Sequence, residues 1–141
     1  MHGAWRSRNF FRTRKDLKMN YLCLCYYDHD AFMNLSPTDI QAIIEQCKPH
    51  DEALRGSGHL KFVGSLGMPE ETRTLRSLDG GTVPDDKPYV ETKEPIGAFF
   101  MIEAEDMDAA EKIAGLHPGA KLSHLFGGGI EIRPVGLFDL L

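Results

Sequence analysis

Asp85-Asp86-Lys87-Pro88-Tyr89-Val90-Glu91-Thr92-Lys93-Glu94 runs directly into the apolar stretch Gly97 to Ala104 (GAFFMIEA), an acidic helix pattern and Ile130-Glu131-Ile132-Arg133-Pro134. This passage decides how the rest of the 141-residue chain is read. GAFFMIEA has the length and apolarity of a strand at the centre of a sheet. The ten residues before its Pro95-Ile96 lead-in hold two aspartates, two glutamates, two lysines, a proline and a tyrosine. Titratable groups at that density, on a loop beside a rigid strand, mark a place where function gathers.

Working outward, Tyr21 to Tyr27 (YLCLCYY) reads as a largely buried first strand. Ser36-Pro37-Thr38-Asp39 starts a helix, with Ser36 as cap, Pro37 in the first turn and Asp39 at the positive end of the dipole. Ile40, Ile43, Ile44 and Cys47 then paint one apolar stripe. Pro49 is expected to kink or interrupt this helix, Glu52 to Arg55 resume it, and Gly56 and Gly58 stop it. His59 to Leu66 and Thr72 to Leu78 follow as strands, the latter with the turn signal Asp79-Gly80-Gly81 behind it. Asp106-Met107-Asp108 opens a second helix over Asp108 to Leu116, ending at His117-Pro118-Gly119. Ile130 to Val135 is the last strand, and Gly136 to Leu141 an apolar tail.

The order is β-α-β-β-β-α-β: an α+β fold, a ferredoxin-like split βαβ with one extra strand or hairpin, in which helices cover one face of an antiparallel sheet. The central strand is apolar on both sides, with Phe99 and Met101 opposite Phe100 and Ile102. A second apolar face needs cover, which predicts a homodimer joined through its sheets.

Several pieces together resemble the YCII-related, or DGPF-domain, family of small bacterial proteins. They are Tyr26-Tyr27-Asp28, Leu54 to Gly58, the loop ending Glu91-Thr92-Lys93-Glu94, the strand Phe99 to Ala104 with its trailing helix, His117-Pro118, and Gly129 to Pro134. The resemblance covers about residues 19–135 and implies a dimeric α+β barrel. Its signature glycine and phenylalanine are here Lys87 and Tyr89, so Lys87 must sit in a turn that does not use positive φ. A histidine of wider relatives, thought to pair with an aspartate, falls near Cys47, so that dyad is not carried over. Relatives are often encoded beside extracytoplasmic-function sigma factors, which implies a regulatory setting as the alternative to an enzyme.

Charge divides the chain in two. Residues 1–18 hold six basic residues against Asp16 alone, leaving ten basic and twenty acidic residues in the remainder. Residues 1–18 read as a basic, disordered or loosely docked extension before a domain at 19–141, where family members usually begin; targeting or nucleic-acid contact is the rival reading. The acidic body argues against nucleic acid as a partner, and no run has the ~20 apolar residues of a membrane span. Three cysteines (Cys23, Cys25, Cys47) have no metal-site spacing and read as reduced thiols of a cytoplasmic protein.

Candidate chemistry concentrates in the loop. Asp86, Tyr89 and Glu91 can form a general acid/base group, and Lys93 a substrate anchor or base. The plainer account makes Asp86 a turn residue and Glu-Thr-Lys-Glu an exposed strand end with weak ion pairs. Tyr26 and Asp28, at the end of the first strand, are placed to meet the loop as ligand-binding residues. Glu131 and Arg133 share one face of the last strand and either line a cleft or pair across the dimer. His50-Asp51 reads as surface, and His117 as a helix-end cap favoured by the negative dipole. No phosphate loop, nucleophile elbow, zinc helix or dinucleotide turn is present, so the reading calls for no cofactor and no metal. It points to a small organic ligand, handled by an enzyme of open reaction class or by a non-catalytic binding module.

Overall fold

The structure, a computed structural model, describes residues 18–141. The expected basic extension therefore lies, apart from Lys18, outside the described residues. The first strand, β1 (Met19–Tyr26), is followed by a short helix α1 (His29–Met33) and a long helix α2 (Pro37–Gly56). Then come β2 (Leu60–Ser65), a single 3-10 turn (Pro69–Glu71), β3 (Thr74–Leu78), β4 (Gly81–Asp85) and β5 (Ile96–Ala104). Helix α3 (Met107–Ala114), two one-turn helices α4 (Pro118–Lys121) and α5 (Ser123–Phe126), and β6 (Gly129–Pro134) complete the order.

Four strands form an antiparallel sheet in the order β2-β5-β1-β6. The hairpin β3–β4 stands apart as a two-stranded sheet. With the hairpin set aside, the α+β order is compatible with a ferredoxin-like arrangement. The strand read over Thr72 to Leu78 thus belongs to the arm rather than the main sheet, and of the extra strand or hairpin expected the structure has the hairpin, with β4 as its second strand. Leu78 pairs with Gly81 across Asp79 (φ 48°) and Gly80 (φ 82°). Two successive positive φ values are what a two-residue primed turn demands, and Asp-Gly supplies them at least strain.

Strand alternation sorts the core. Tyr21, Cys23 and Cys25 of β1 sit opposite Ile102, Phe100 and Ala98 of β5 on the helix-covered face. There they cluster with Leu54 of α2 and Ala110 and Ala114 of α3. Burial pushes the Cys23 thiol up to about 12, reinforced by its neighbour Cys25, which burial raises to about 11. All three cysteines are free. The other face carries Leu22, Leu24, Phe99 and Met101, with Phe62 of β2 stacked edge-on against Phe99 and in contact with Phe138 of the tail.

Of the two outcomes expected at Pro49, interruption does not occur: α2 runs from Pro37 to Gly56 with Pro49 inside it. Pro49 and Glu45, the residue whose carbonyl its ring leaves without a donor, are both exposed, and the remaining turns hold the helix together. Ser36 caps the start by accepting from Asp39 N–H at 3.1 Å, and Arg55 pairs with Asp51 near the end. The helix that begins at Asp106 stops at Ala114, short of the expected Leu116, because Gly115 takes the cap.

Leu54 is 1% exposed and Leu75, on the hairpin, 67%. Leu54→Ala should therefore cost about 2–5 kcal/mol, whereas Leu75→Ala should stay within about 0.5 kcal/mol. Urea unfolding of the two variants reads the contrast, and equal losses would show that the arm packs as core.

Candidate functional site

β1 does not leave the sheet regularly. Its register with β5 shifts between Cys25 and Tyr26, and such a bulge bends the strand and re-aims the residues beyond it. Tyr27 and Asp28 follow at once. Asp28 N–H donates to the Phe126 carbonyl at 2.9 Å, tying the end of β1 to α5, while Asp28 Oδ1 caps α1 by accepting from Ala31 N–H at 2.9 Å. Tyr27 N–H donates to the Pro95 carbonyl. Gly128 makes the junction with β6 possible: at φ 64° it lies so close to the Tyr26 carbonyl that any Cβ would overlap it.

Between the sheet and this junction lies a partly open hollow of about 250 Å³. Cys25, Ala98 and Tyr26 form its sheet side, Tyr27, Phe32 and Phe126 one flank, and Cys47, His117, Pro118 and Gly119 the other. None of these residues carries a formal charge at neutral pH. Burial raises the Tyr27 phenol, with Cys25 adding to it, and raises the Cys47 thiol, with Asp51 adding to it. Burial lowers His117, and the Asp51 carboxylate opposes this only in part. Each shift favours the uncharged form, as expected for groups held away from water.

His117 departs from the cation-at-a-helix-end reading. Its backbone ends the turn after α3, but its Nδ1 accepts from Gly119 N–H at 2.8 Å and so caps the start of α4. Its ring stacks on Phe100 at 4.8 Å and 5°. A ring that accepts through Nδ1 is neutral, with its proton on Nε2. His117 is half-buried, and His29 is the buried histidine among the described residues: it stacks on Tyr27 at 3.9 Å and 9°, and its Nε2 has no hydrogen-bond partner among them.

The loop residues singled out from the sequence disperse in a single protomer. Asp86, with its side chain 86% exposed, pairs with Arg73 at 3.4 Å. Tyr89 is 73% exposed under the Arg76 guanidinium, and Glu91 reaches Lys87 at 3.6 Å. Lys87 avoids positive φ, as expected of a lysine where the signature has glycine, and its carbonyl accepts from Thr74 Oγ1 at 2.7 Å. Only the end of the loop approaches the hollow. Lys93 pairs with Asp28 at 3.6 Å, and Glu94 accepts from Gly128 N–H. Tyr26 donates to Glu131 at 3.4 Å, and Glu131 meets Arg133 at 3.8 Å, all on the sheet face opposite the helices. Burial raises the Tyr26 phenol, with the Glu131 charge and hydrogen bond adding to it and Arg133 opposing.

Tyr27, Phe32, Cys47, His117 and Phe126 were not singled out as site residues from the sequence. They are brought together by the β1 bulge and the one-turn helices, neither of which has a periodic signature. Among the described residues no cluster of three or more His, Cys, Asp or Glu is arranged to hold a metal, and no helix is long and apolar enough to cross a membrane.

A family model described as the YCII-related domain matches residues 19–139. An uncharacterized protein of Rhizobium meliloti (strain 1021) is 28% identical over 120 residues, which is 85% of this chain and 94% of that protein.

Because the folded state disfavours protonated His117, it binds fewer protons than the unfolded chain below the ordinary histidine range. Stability attributable to this residue is present above about pH 6.5 and should be lost as pH falls through the lowered folded value. His117→Asn keeps a capping oxygen without a titrating ring, so its melting temperature should decline less than the parent's between pH 7 and pH 5. Parallel declines would remove His117 from the pH response.

Proposed function

Since the chain belongs to the YCII-related family, we propose that it works as a homodimer that binds a small organic molecule in the hollow between sheet and helices. The observation that carries this reading is the hollow's wall: mainly apolar, with every titratable member shifted toward its uncharged form. Concave, mainly apolar sites with a few polar groups are what small ligands occupy. The catalytic version requires Asp86, Tyr89, Glu91 and Lys93 to act on one substrate. In one protomer they pair with four different neighbours, Arg73, Arg76, Lys87 and Asp28. Binding is therefore the better-supported reading. In it, Asp28 and Lys93 form a polar clasp beside the wall rather than an acid/base pair.

Dimerisation rests on the part of the sheet face opposite the helices that the tail, in contact at Phe62, leaves open. Leu22 and Leu24 stay half-exposed beside Phe99, with Glu131 and Arg133 as their neighbours on β6. Isologous pairing of this face with its copy would hide the leucines and set Glu131 and Arg133 near an interface rim.

Light scattering on a sizing column should give the mass of two chains, and Leu24→Arg should shift it to one. A monomeric parent at micromolar concentration would remove the dimer. Thermal-shift screening against a metabolite library should return a ligand that raises the melting temperature by several degrees at about 100 times its Kd. Cys47→Phe, which fills the hollow from α2, should abolish that shift. A shift that survives Cys47→Phe would move the ligand elsewhere.

A further inference from the structure

The hollow's size and its polar inventory narrow what it can hold. A cavity of about 150 Å³ accommodates benzene, so about 250 Å³ suits one ring with a short substituent. No lysine, arginine, aspartate or glutamate is part of the wall, and a charge moved there would lose its hydration without a counter-charge. The wall's polar groups are nearly all engaged or weak. The Tyr26 hydroxyl donates to Glu131, Cys25 and Cys47 offer only weak thiols, and His117 Nδ1 is taken by Gly119 N–H. His117 Nε2 is the exception. With Nδ1 accepting from Gly119 N–H, Nε2 carries the ring proton, and it is not among the buried atoms left without a partner, as His29 Nε2 is. Stacking on Phe100 and the bond to Gly119 fix the ring's plane and tautomer together, as a donor needs if it is to read one atom of a ligand.

Resting on the ligand-site reading above, we infer that the hollow selects an uncharged, compact aromatic or similarly flat apolar molecule bearing a carbonyl-type acceptor, which His117 Nε2–H reads. The acceptor gives the imidazole N–H a partner inside the hollow, and the ring of the ligand packs against Phe32, Tyr27 and Phe126. The carboxylate counterpart of the same molecule is rejected because it enters as an unpaired anion.

Three probes of matched skeleton test this at pH 7.5 by calorimetry on the full chain: acetophenone, ethylbenzene and benzoate. Acetophenone should bind roughly fivefold or more tightly than ethylbenzene, the worth of one net hydrogen bond, and benzoate should be weakest. The His117 Nε2 resonance in nitrogen-15 spectra should move with acetophenone and stay with ethylbenzene, a measurement that needs no variant. His117→Phe, which retains an aromatic ring beside Phe100, should bring the acetophenone-to-ethylbenzene ratio close to one. Equal binding of the two in the parent, tighter binding of benzoate, or an unmoved Nε2 resonance would each overturn the selectivity. If all three probes fail, the inference falls, while a library ligand blocked by Cys47→Phe would still keep the hollow as the binding site.

Discussion

The pairing of β1 with β5 is the constraint from which the other features follow. Its register sets Tyr21, Cys23 and Cys25 against Ile102, Phe100 and Ala98. Because side chains alternate across a strand, a slip of one residue would exchange this set for Leu22, Leu24, Phe99 and Met101. Cys23, Phe100 and Ile102 are then almost wholly enclosed by the helices. Leu54 and the small residues Ala110 and Ala114 let α2 and α3 close on them. The same register ends in the bulge after Cys25, so the act of building the core also turns Tyr27 and Asp28 out of the sheet. The hollow exists because the strand stops being regular there.

That geometry separates two kinds of chemistry. Charged and hydrogen-bonding groups of the signature loop lie in water and pair locally, where each ion pair contributes at most ~1 kcal/mol. The hollow, by contrast, is closed to charge and offers aromatic faces, two weakly acidic thiols and one imidazole. Lys93, Glu94 and Pro95 join the two regions through Asp28, Gly128 and Tyr27. Selectivity in such an arrangement comes from what the wall refuses to desolvate as much as from what it touches.

Much of the fold was legible. Caps at Ser36 and Asp106, the Asp79-Gly80 turn and the double-sided apolarity of Phe99 to Ile102 are local signals whose physics does not depend on distant residues. Pro49 does not interrupt α2 because a proline's cost depends on its surroundings, and both it and Glu45, one turn earlier, are exposed. His117 misled for a related reason: next to a helix end a histidine can cap either the helix behind it or the one ahead. Only burial, which makes the ring neutral and an acceptor, decides for α4.

The motif resemblance to the YCII-related family is borne out by the match over residues 19–139; from composition and pattern alone came the α+β class, the strand and helix types and the apolarity of both faces of β5. These are properties of short windows of chain, carried by periodicity, caps and turns. Tertiary structure decided which residues surround a hollow and which stand in water. It drew Tyr27, Cys47, His117 and Phe126 together from four separate segments, and it left Asp86, Tyr89 and Glu91 outside. No window of sequence holds that information, because it arises from where a bulged strand, a continuous helix and two one-turn helices come to rest against one another.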